Sequence, residues 1–286
     1  MTSLSSSIPA LPTLPPDADK WSAGRVLVIG GSRGMSGAVR LAGIGACASG
    51  AGLVTLAVPE PIRAECATAR LREMTCGVRA THTGGLAYVA SAALRAAAAS
   101  ADAVVIGPGA GRHPDTRDLL RHLVAVLPIP VVVDADALFA VAEDVSVLEH
   151  AAGVRVLTPH RAEAARLLGT TPDSVAIRPA DAAVDLVARG ATIAVVKGPT
   201  THVAAATRRT SVAEGSNLLA TGGAGDILAG LLGGFLAAGM DPFDAAVAAT
   251  AHHGAAATDL ARSGGVFDEF PKALARRVAV ARRSAP

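Results

Sequence analysis

Aromatic side chains are almost missing from this chain: one Trp, one Tyr and five Phe in 286 residues. Stacking platforms for single-stranded nucleic acid are therefore scarce. Charge is also thin, at 17% with a formal net of +2, and basic residues cluster only in pairs such as Arg208-Arg209 and Arg276-Arg277. No single-sign field is available to attract nucleic acid. The three cysteines, Cys47, Cys66 and Cys76, have neither an even count nor CxxC spacing. That argues against a disulfide framework and for a reduced, cytoplasmic protein. The most apolar stretch, "ILAGLLGGFLAAG", is too short to span a bilayer and holds four glycines, so no membrane association is expected. The opening "MTSLSSSIPALPTLPPDADK" lacks the early basic patch and continuous apolar run of a signal peptide. It reads as a flexible lead-in over residues 1–20, ahead of one domain over 21–286. Two common phosphate motifs are missing as well: G-x-x-x-x-G-K-[ST], and a G-x-G-x-x-G after the first strand.

What is present is hydrophobic mass, 51% of residues, enough for a sizeable core. From Trp21 onward, short β-branched runs alternate with Ala-rich segments. "RVLVIGG" (25–31), "LVTLAV" (53–58), "ADAVVIGPG" (101–109), "IPVVVDADAL" (129–138), "VRVLTPH" (154–160) and "ATIAVVKGPTT" (191–201) read as strands. Helical segments lie between them, including 37–52, 116–127 and 161–169, and the stretch from Asp226 to about Ser263 is mostly helical. Such alternation predicts βαβ units and an α/β fold whose mainly parallel sheet is covered on both faces. Near-continuous apolar strands agree, because parallel strands are buried on both sides.

Ligands of open parallel sheets bind beyond the carboxyl ends of the strands. Five such ends carry distinctive residues here: Gly30-Gly31-Ser32, Gly107-Pro108-Gly109, Asp134-Ala135-Asp136, Thr158-Pro159-His160 and Lys197-Gly198. The turn "ATGGAGDILAG" (220–230) places Gly222, Gly223, Ala224 and Gly225 before Asp226 at the start of an apolar helix. Successive N–H groups in a glycine turn form an anion nest, and the helix dipole behind it adds positive potential. Asp226 can cap that helix and also act as a base toward a substrate hydroxyl beside the bound phosphate. His160 is read either as a helix-start histidine or as a hydrogen-bond partner of substrate, and Lys197 as a phosphate-reaching lysine. Asp134 and Asp136 are read either as orienting Mg²⁺ through water or as capping the next helix. Adjacent His252-His253 cannot share one helix face as metal ligands and reads as packing or surface.

These blocks, with "GAVRLAGIGACASGAGLV", "VLTPHRAEAARLLG", "VVKGPTTHVAA" and "AAVAATAHHGAAA", resemble in order the ADP-dependent (S)-NAD(P)H-hydrate dehydratases of the ribokinase-like superfamily, over roughly residues 20–275. The resemblance implies a three-layer α/β/α fold. It also implies a hydro-lyase that restores NADH or NADPH hydrated on the nicotinamide ring, using ADP, released as AMP and phosphate, with Mg²⁺. By the same resemblance Lys197, Gly198, Pro199, Thr200, Thr201 and Gly225 contact the nucleotide. Ala38, Gly109, His160 and Asp226 contact the hydrated nicotinamide, and Asp226 is the catalytic residue. A homotetramer and a separate epimerase chain are the implied partners. Two positions depart from the family pattern: Ser216-Asn217 stands where Asn-Pro or Asn-Gly is usual, and Phe139 where Asn is usual. The alternative is an ATP-dependent kinase of the same superfamily, acting on a hydroxymethylpyrimidine, a thiazole alcohol or a sugar.

Overall fold

Strand side chains point alternately to opposite faces, and in this chain both sets are apolar. Val26 and Val28 of the first strand enter one core, Leu27 and Ile29 the other. The computed structural model describes residues 8–14, 17–68 and 72–283. Nine strands are described: β1 (Arg25–Ile29), β2 (Leu53–Pro59), β3 (Glu73–Val78), β4 (Ala103–Ile106), β5 (Val131–Val133), β6 (Arg155–Leu157), β7 (Ile193–Val196), β8 (Thr201–Ala205) and β9 (Arg209–Val212). They form one sheet in the order β3-β2-β1-β4-β5-β6-β7-β8-β9. Every pairing from β3 through β7 is parallel, whereas β8 and β9 are antiparallel. The expected α/β fold is therefore present, with a two-strand antiparallel edge that the sequence reading did not resolve.

The helices are α1 (Ser36–Ala48), α2 (Glu60–Ala67), α3 (Ser91–Ala98), α4 (Pro114–Val126), α5 (Asp136–Val141), α6 (Arg161–Leu168), α7 (Pro172–Ile177), α8 (Pro179–Ala188), α9 (Ala224–Ala237), α10 (Pro242–Arg262) and α11 (Phe270–Arg283). Helices α1, α2, α9, α10 and α11 pack on one sheet face, and α3 to α8 on the other. Three layers result. Among the described residues, no helix is long and apolar enough to cross a membrane. Of the expected flexible lead-in, residues 1–7, 15 and 16 lie outside the described residues. Leu11 does not fit a loose tail: it is 3% exposed, within the core that holds α1 and α9. The Asp19 carboxylate accepts the N–H groups of Trp21 and Ser22, which turns the chain into β1.

Arg155 is a buried charge in an apolar strand, 0% exposed. Its guanidinium donates to the carbonyls of Val124, Leu127, Ile129 and Val154. Two of these close the C-terminal end of α4, whose last carbonyls have no intrahelical donor. Burial lowers its pKa to about 10, so it stays protonated near neutrality.

Helices α1 and α9 run side by side from the rim where the strands end, and their backbones touch. A Cβ on Gly230 would lie 1.8 Å from the Ala42 carbonyl oxygen, and one on Gly45 would lie 2.1 Å from that of Ile227. Only glycine permits this approach, and the contact sets the height of the α9 N-terminus above the sheet. Gly230→Ala is expected to cost about 1–3 kcal/mol, the usual range for overpacking. A denaturant titration should show a lower midpoint with an unchanged slope; an unchanged midpoint would contradict the packing described.

Candidate functional site

Strands β5, β6 and β7 end side by side and deliver the charged residues. Asp134, 2% exposed, follows β5 and accepts from Lys197 Nζ at 2.9 Å and from Thr158 Oγ1 at 2.8 Å. Lys197 follows β7, and its backbone N–H donates to the Pro159 carbonyl at 2.8 Å. The same register pairs Lys197 with His160 in a parallel bridge. Asp136 accepts from the Gly111 N–H at 2.9 Å and from Arg112 Nε at 3.0 Å, tying the loop after β4 to the start of α5. Neither aspartate makes a side-chain cap on α5. The residue between them, Ala135, has φ +49°, and it is the one non-glycine with positive φ among the described residues. Strain of this kind persists only where surrounding contacts hold it, and here the bonds of Asp134 and Asp136 do so.

His160 is the N-cap of α6. Its Nδ1 accepts from the N–H groups of Ala162 and Glu163, while the Glu163 carboxylate accepts from the His160 N–H. An accepting Nδ1 fixes the neutral tautomer with hydrogen on Nε2. Burial, then Lys197, holds the imidazole pKa below its ordinary value. The side chain is 56% exposed, so the ring remains accessible. Both readings of His160 from the sequence are compatible with this geometry.

Asp226 lies in the first turn of α9. The N-cap, Gly223, has φ +95° and supplies no side-chain bond, and a Cβ there would collide with Leu41 of α1. The Ala224 N–H is taken by the Thr221 carbonyl. The N–H groups of Gly225 and Asp226 have no helical partner by geometry and face outward as anion donors. Burial foremost, then the negative charge of Asp134, raises the Asp226 carboxyl to about 7, against the pull of Lys197. Glu163 is raised to about 7 by the same causes. Burial opposes the charge on Lys197, yet Asp134 and Glu163 hold its pKa above the usual value. Asp226 lies within electrostatic reach of Asp134, Asp136, Glu163 and Lys197.

Beside this cluster lies a cavity of about 590 Å³. Lys197, Gly198, Pro199, Thr201, Ala224 and Gly225 line it; Thr200, in the same turn, does not. Gly225 and Lys197 are close: a Cβ on Gly225 would lie 3.2 Å from Nζ. The sequence reading missed the far wall, which includes Glu214, Ser216, Asn217, Thr250, His253 and Gly254. His253 is buried packing, edge-on to Phe270, and its Nε2 lies 3.0 Å from the Ala224 carbonyl. It also faces the cavity, which no spacing signal in an Ala-rich helix announces. On the other side of α9, Gly109 and Ala38 meet: a Cβ on Gly109, φ +61°, would lie 2.9 Å from the Ala38 Cβ. That contact sits between the ends of β1 and β4, where the strand order reverses. Such a switch point opens a crevice for ligand.

A family model described as NAD(P)H-hydrate dehydratase matches residues 26–278. Over 256 residues the chain is 38% identical to the bifunctional NAD(P)H-hydrate repair enzyme of Moorella thermoacetica, covering 89% of this chain and 48% of that protein. It is 34% identical over 262 residues to the ADP-dependent (S)-NAD(P)H-hydrate dehydratase of Xanthomonas campestris, covering 91% of this chain and 89% of that one. The chain thus spans about half the length of the bifunctional relatives it matches and most of the single-function one. The ADP/ATP-dependent NAD(P)H-hydrate dehydratase of Bacillus subtilis, co-crystallised with ATP and Mg²⁺, superposes with a TM-score of 0.78 at 25% identity over 95% of both chains. The rim of charged strand ends, the glycine-led helix carrying an acid and the match across nearly the whole domain agree: this chain belongs to the NAD(P)H-hydrate dehydratase family.

Proposed function

We propose that this chain dehydrates (S)-NADH and (S)-NADPH hydrates to the reduced nucleotides, converting ADP to AMP and phosphate. One observation carries the reading above the others. A carboxyl held near pKa 7, Asp226, sits in a helix first turn whose Gly225 lines a cavity of about 590 Å³ together with Lys197. A base with that pKa is half ionised at neutral pH and suited to take a hydroxyl proton.

Hydroxide is a poor leaving group, and phosphorylation makes it a good one. As the ring hydroxyl attacks the β-phosphorus of ADP, its proton passes to Asp226 and the bond to the bridging oxygen breaks, releasing AMP. The phosphorylated ring then expels phosphate with the nitrogen lone pair, and a proton leaves the neighbouring carbon to restore the double bond. Lys197 and the N–H groups of Gly225 and Asp226 bear the charge developing on the phosphoryl oxygens. Gly198, Pro199, Thr200 and Thr201 hold the nucleotide. Ala38, Gly109 and the accessible ring of His160, whose Nε2 lies 3.4 Å from the Glu163 carboxylate, hold the hydrated ring.

Mg²⁺ is the implied ion. Among the described residues, no three His, Cys, Asp or Glu side chains converge as a metal cage, and Asp134 and Asp136 already have partners. This donor set fits an ion carried mainly on nucleotide phosphates and reached by Asp134 and Asp136 through water, the usual habit of Mg²⁺. Its contribution is to neutralise phosphate charge. The family resemblance supports a homotetramer whose substrate an epimerase also serves, and the cysteine usage supports the cytoplasm. A kinase reading predicts an ATP requirement and an accumulating phosphorylated product, and the family match favours the dehydratase.

Asp226→Asn is expected to lower turnover of NADPH hydrate by roughly 10²–10⁴-fold while leaving AMP affinity within a few-fold. Recovery of reduced-nicotinamide absorbance measures the first and calorimetry the second; wild-type turnover in this variant would exclude Asp226 as the base. In wild-type enzyme, kcat/KM should rise with pH through about 7 as the carboxyl ionises.

Stability should respond in the opposite sense. The folded-state pKa values of Asp226 and Glu163 lie above their unfolded values, so the stabilisation is complete below about pH 4 and is lost as pH rises through about 7. Asp226→Asn should therefore unfold at higher denaturant than wild type at pH 8, and at nearly the same concentration at pH 4. Equal midpoints at both pH values would remove the raised carboxyl from the account.

A further inference from the structure

Phe139 stands beside the site with a guanidinium on each of two sides. Arg112 Cζ lies 4.3 Å and Arg166 Cζ 4.6 Å from its ring centroid. Cation–π contact holds both guanidiniums at the ring, and the Arg112 Nε–H also donates to Asp136. Two like charges around one ring repel, and the surroundings relieve only half of that. Asp136 pairs with Arg112, whereas Arg166 forms no ion pair among the described residues. Lys197, the other cation of the neighbourhood, is already matched by Asp134. One uncompensated, preorganised guanidinium therefore remains at the rim.

Its position relates it to the substrate ends of the site. Arg112 is three residues beyond Gly109 on the same loop, and that loop is pinned by the Gly111 N–H to Asp136. Arg166 lies on α6, which His160 caps, about 9 Å along the axis at 1.5 Å per residue. It is near enough to oppose protonation of that imidazole. The pair thus stands close along the chain to both residues assigned to the hydrated nicotinamide and shares none of the lining of the nucleotide cavity.

We propose that Arg112 and Arg166, held on Phe139, form a subsite for the 2′-phosphate of hydrated NADPH and make it the preferred substrate over hydrated NADH. The inference rests on the dehydratase reading above. A terminal phosphate is dianionic and exposes several acceptor oxygens, which two forks can engage together, and it supplies the missing negative charge. An arginine beside a dinucleotide site is a common way to accommodate this group. Phe139 acts as a positioning residue: it touches no substrate and holds the two forks.

Arg166→Gln and Arg112→Gln are on the surface and test the subsite directly. In wild type, kcat/KM for NADPH hydrate should exceed that for NADH hydrate by about tenfold or more, the usual worth of a charged hydrogen bond. Each variant should reduce that ratio about tenfold, and Arg166→Lys should restore part of it. Phe139→Leu, which keeps an apolar side chain at this position, should raise KM for NADPH hydrate rather than lower kcat. Equal losses on both hydrates would place the arginines on the shared diphosphate and overturn the proposal, as would an unchanged ratio. Calorimetry with NADPH and NADH gives a second readout that needs no turnover. Tighter NADPH binding that disappears in Arg166→Gln supports the subsite even if the dehydratase reading fails, and equal binding of the two by wild type overturns it.

Discussion

At the rim of the sheet one ammonium faces four carboxylates. Lys197 bonds to Asp134 and lies within electrostatic reach of Glu163 and Asp226, while Asp136 adds a fourth negative charge nearby. Arg112 pairs with Asp136, but Lys197 alone cannot compensate Asp134, Glu163 and Asp226, and burial raises the cost of charging them. The deepest partner, Asp134, takes the ion pair, and the cost of ionisation falls on Glu163 and Asp226, both raised to about 7. Two carboxyls that titrate near neutrality are obtained in this way. His160 escapes this imbalance, since burial and then Lys197 outweigh Asp134 there and hold its pKa below the ordinary value. Most of what the site can do follows from where the single proton-rich group was placed.

The parallel sheet gives that arrangement its rigidity. Asp134, Thr158, His160 and Lys197 follow three adjacent strands, and backbone register alone brings them together. Each is then locked by a second contact: Thr158 to Asp134, the Lys197 N–H to Pro159, His160 to the first turn of α6. Preorganised dipoles and charges of this kind need no rearrangement when charge develops, which is where electrostatic catalysis gains most.

The residues legible in sequence were those whose signal is local. "RVLVIGG", "VVVDADAL" and "VRVLTPH" announce buried strands followed by polar groups, and β1, β5 and β6 begin near those bounds; β5 stops at Val133, well short of Leu138, because Asp136 already opens α5. The acid behind a glycine turn was legible for the same reason. Antiparallel β8 and β9 were not, because "THVAAATRRTSV" has neither a tight-turn pair nor strict alternation. The far wall of the cavity was hidden as well: Glu214, Ser216 and Asn217 come from a loop, and Thr250, His253 and Gly254 from α10, so only tertiary packing unites them with Lys197. Asp134 and Asp136 had two open roles in the sequence, orienting Mg²⁺ through water or capping the next helix; neither caps α5, and partners far along the chain, Lys197 and Arg112, pair with them instead. Leu11 is the clearest case of a tertiary effect: one leucine in a Ser/Pro-rich stretch found a place in the core.

The backbone contact between α1 and α9 reaches beyond stability. Ala38 lies in the first turn of one of these helices and Asp226 in the first turn of the other, so the two residues are mounted on rods welded along their length. Neither rod can slide past the other without driving a carbonyl into a neighbouring Cα. The distance between Ala38 and Asp226 is therefore set by the helix pair itself and not by the loops around it.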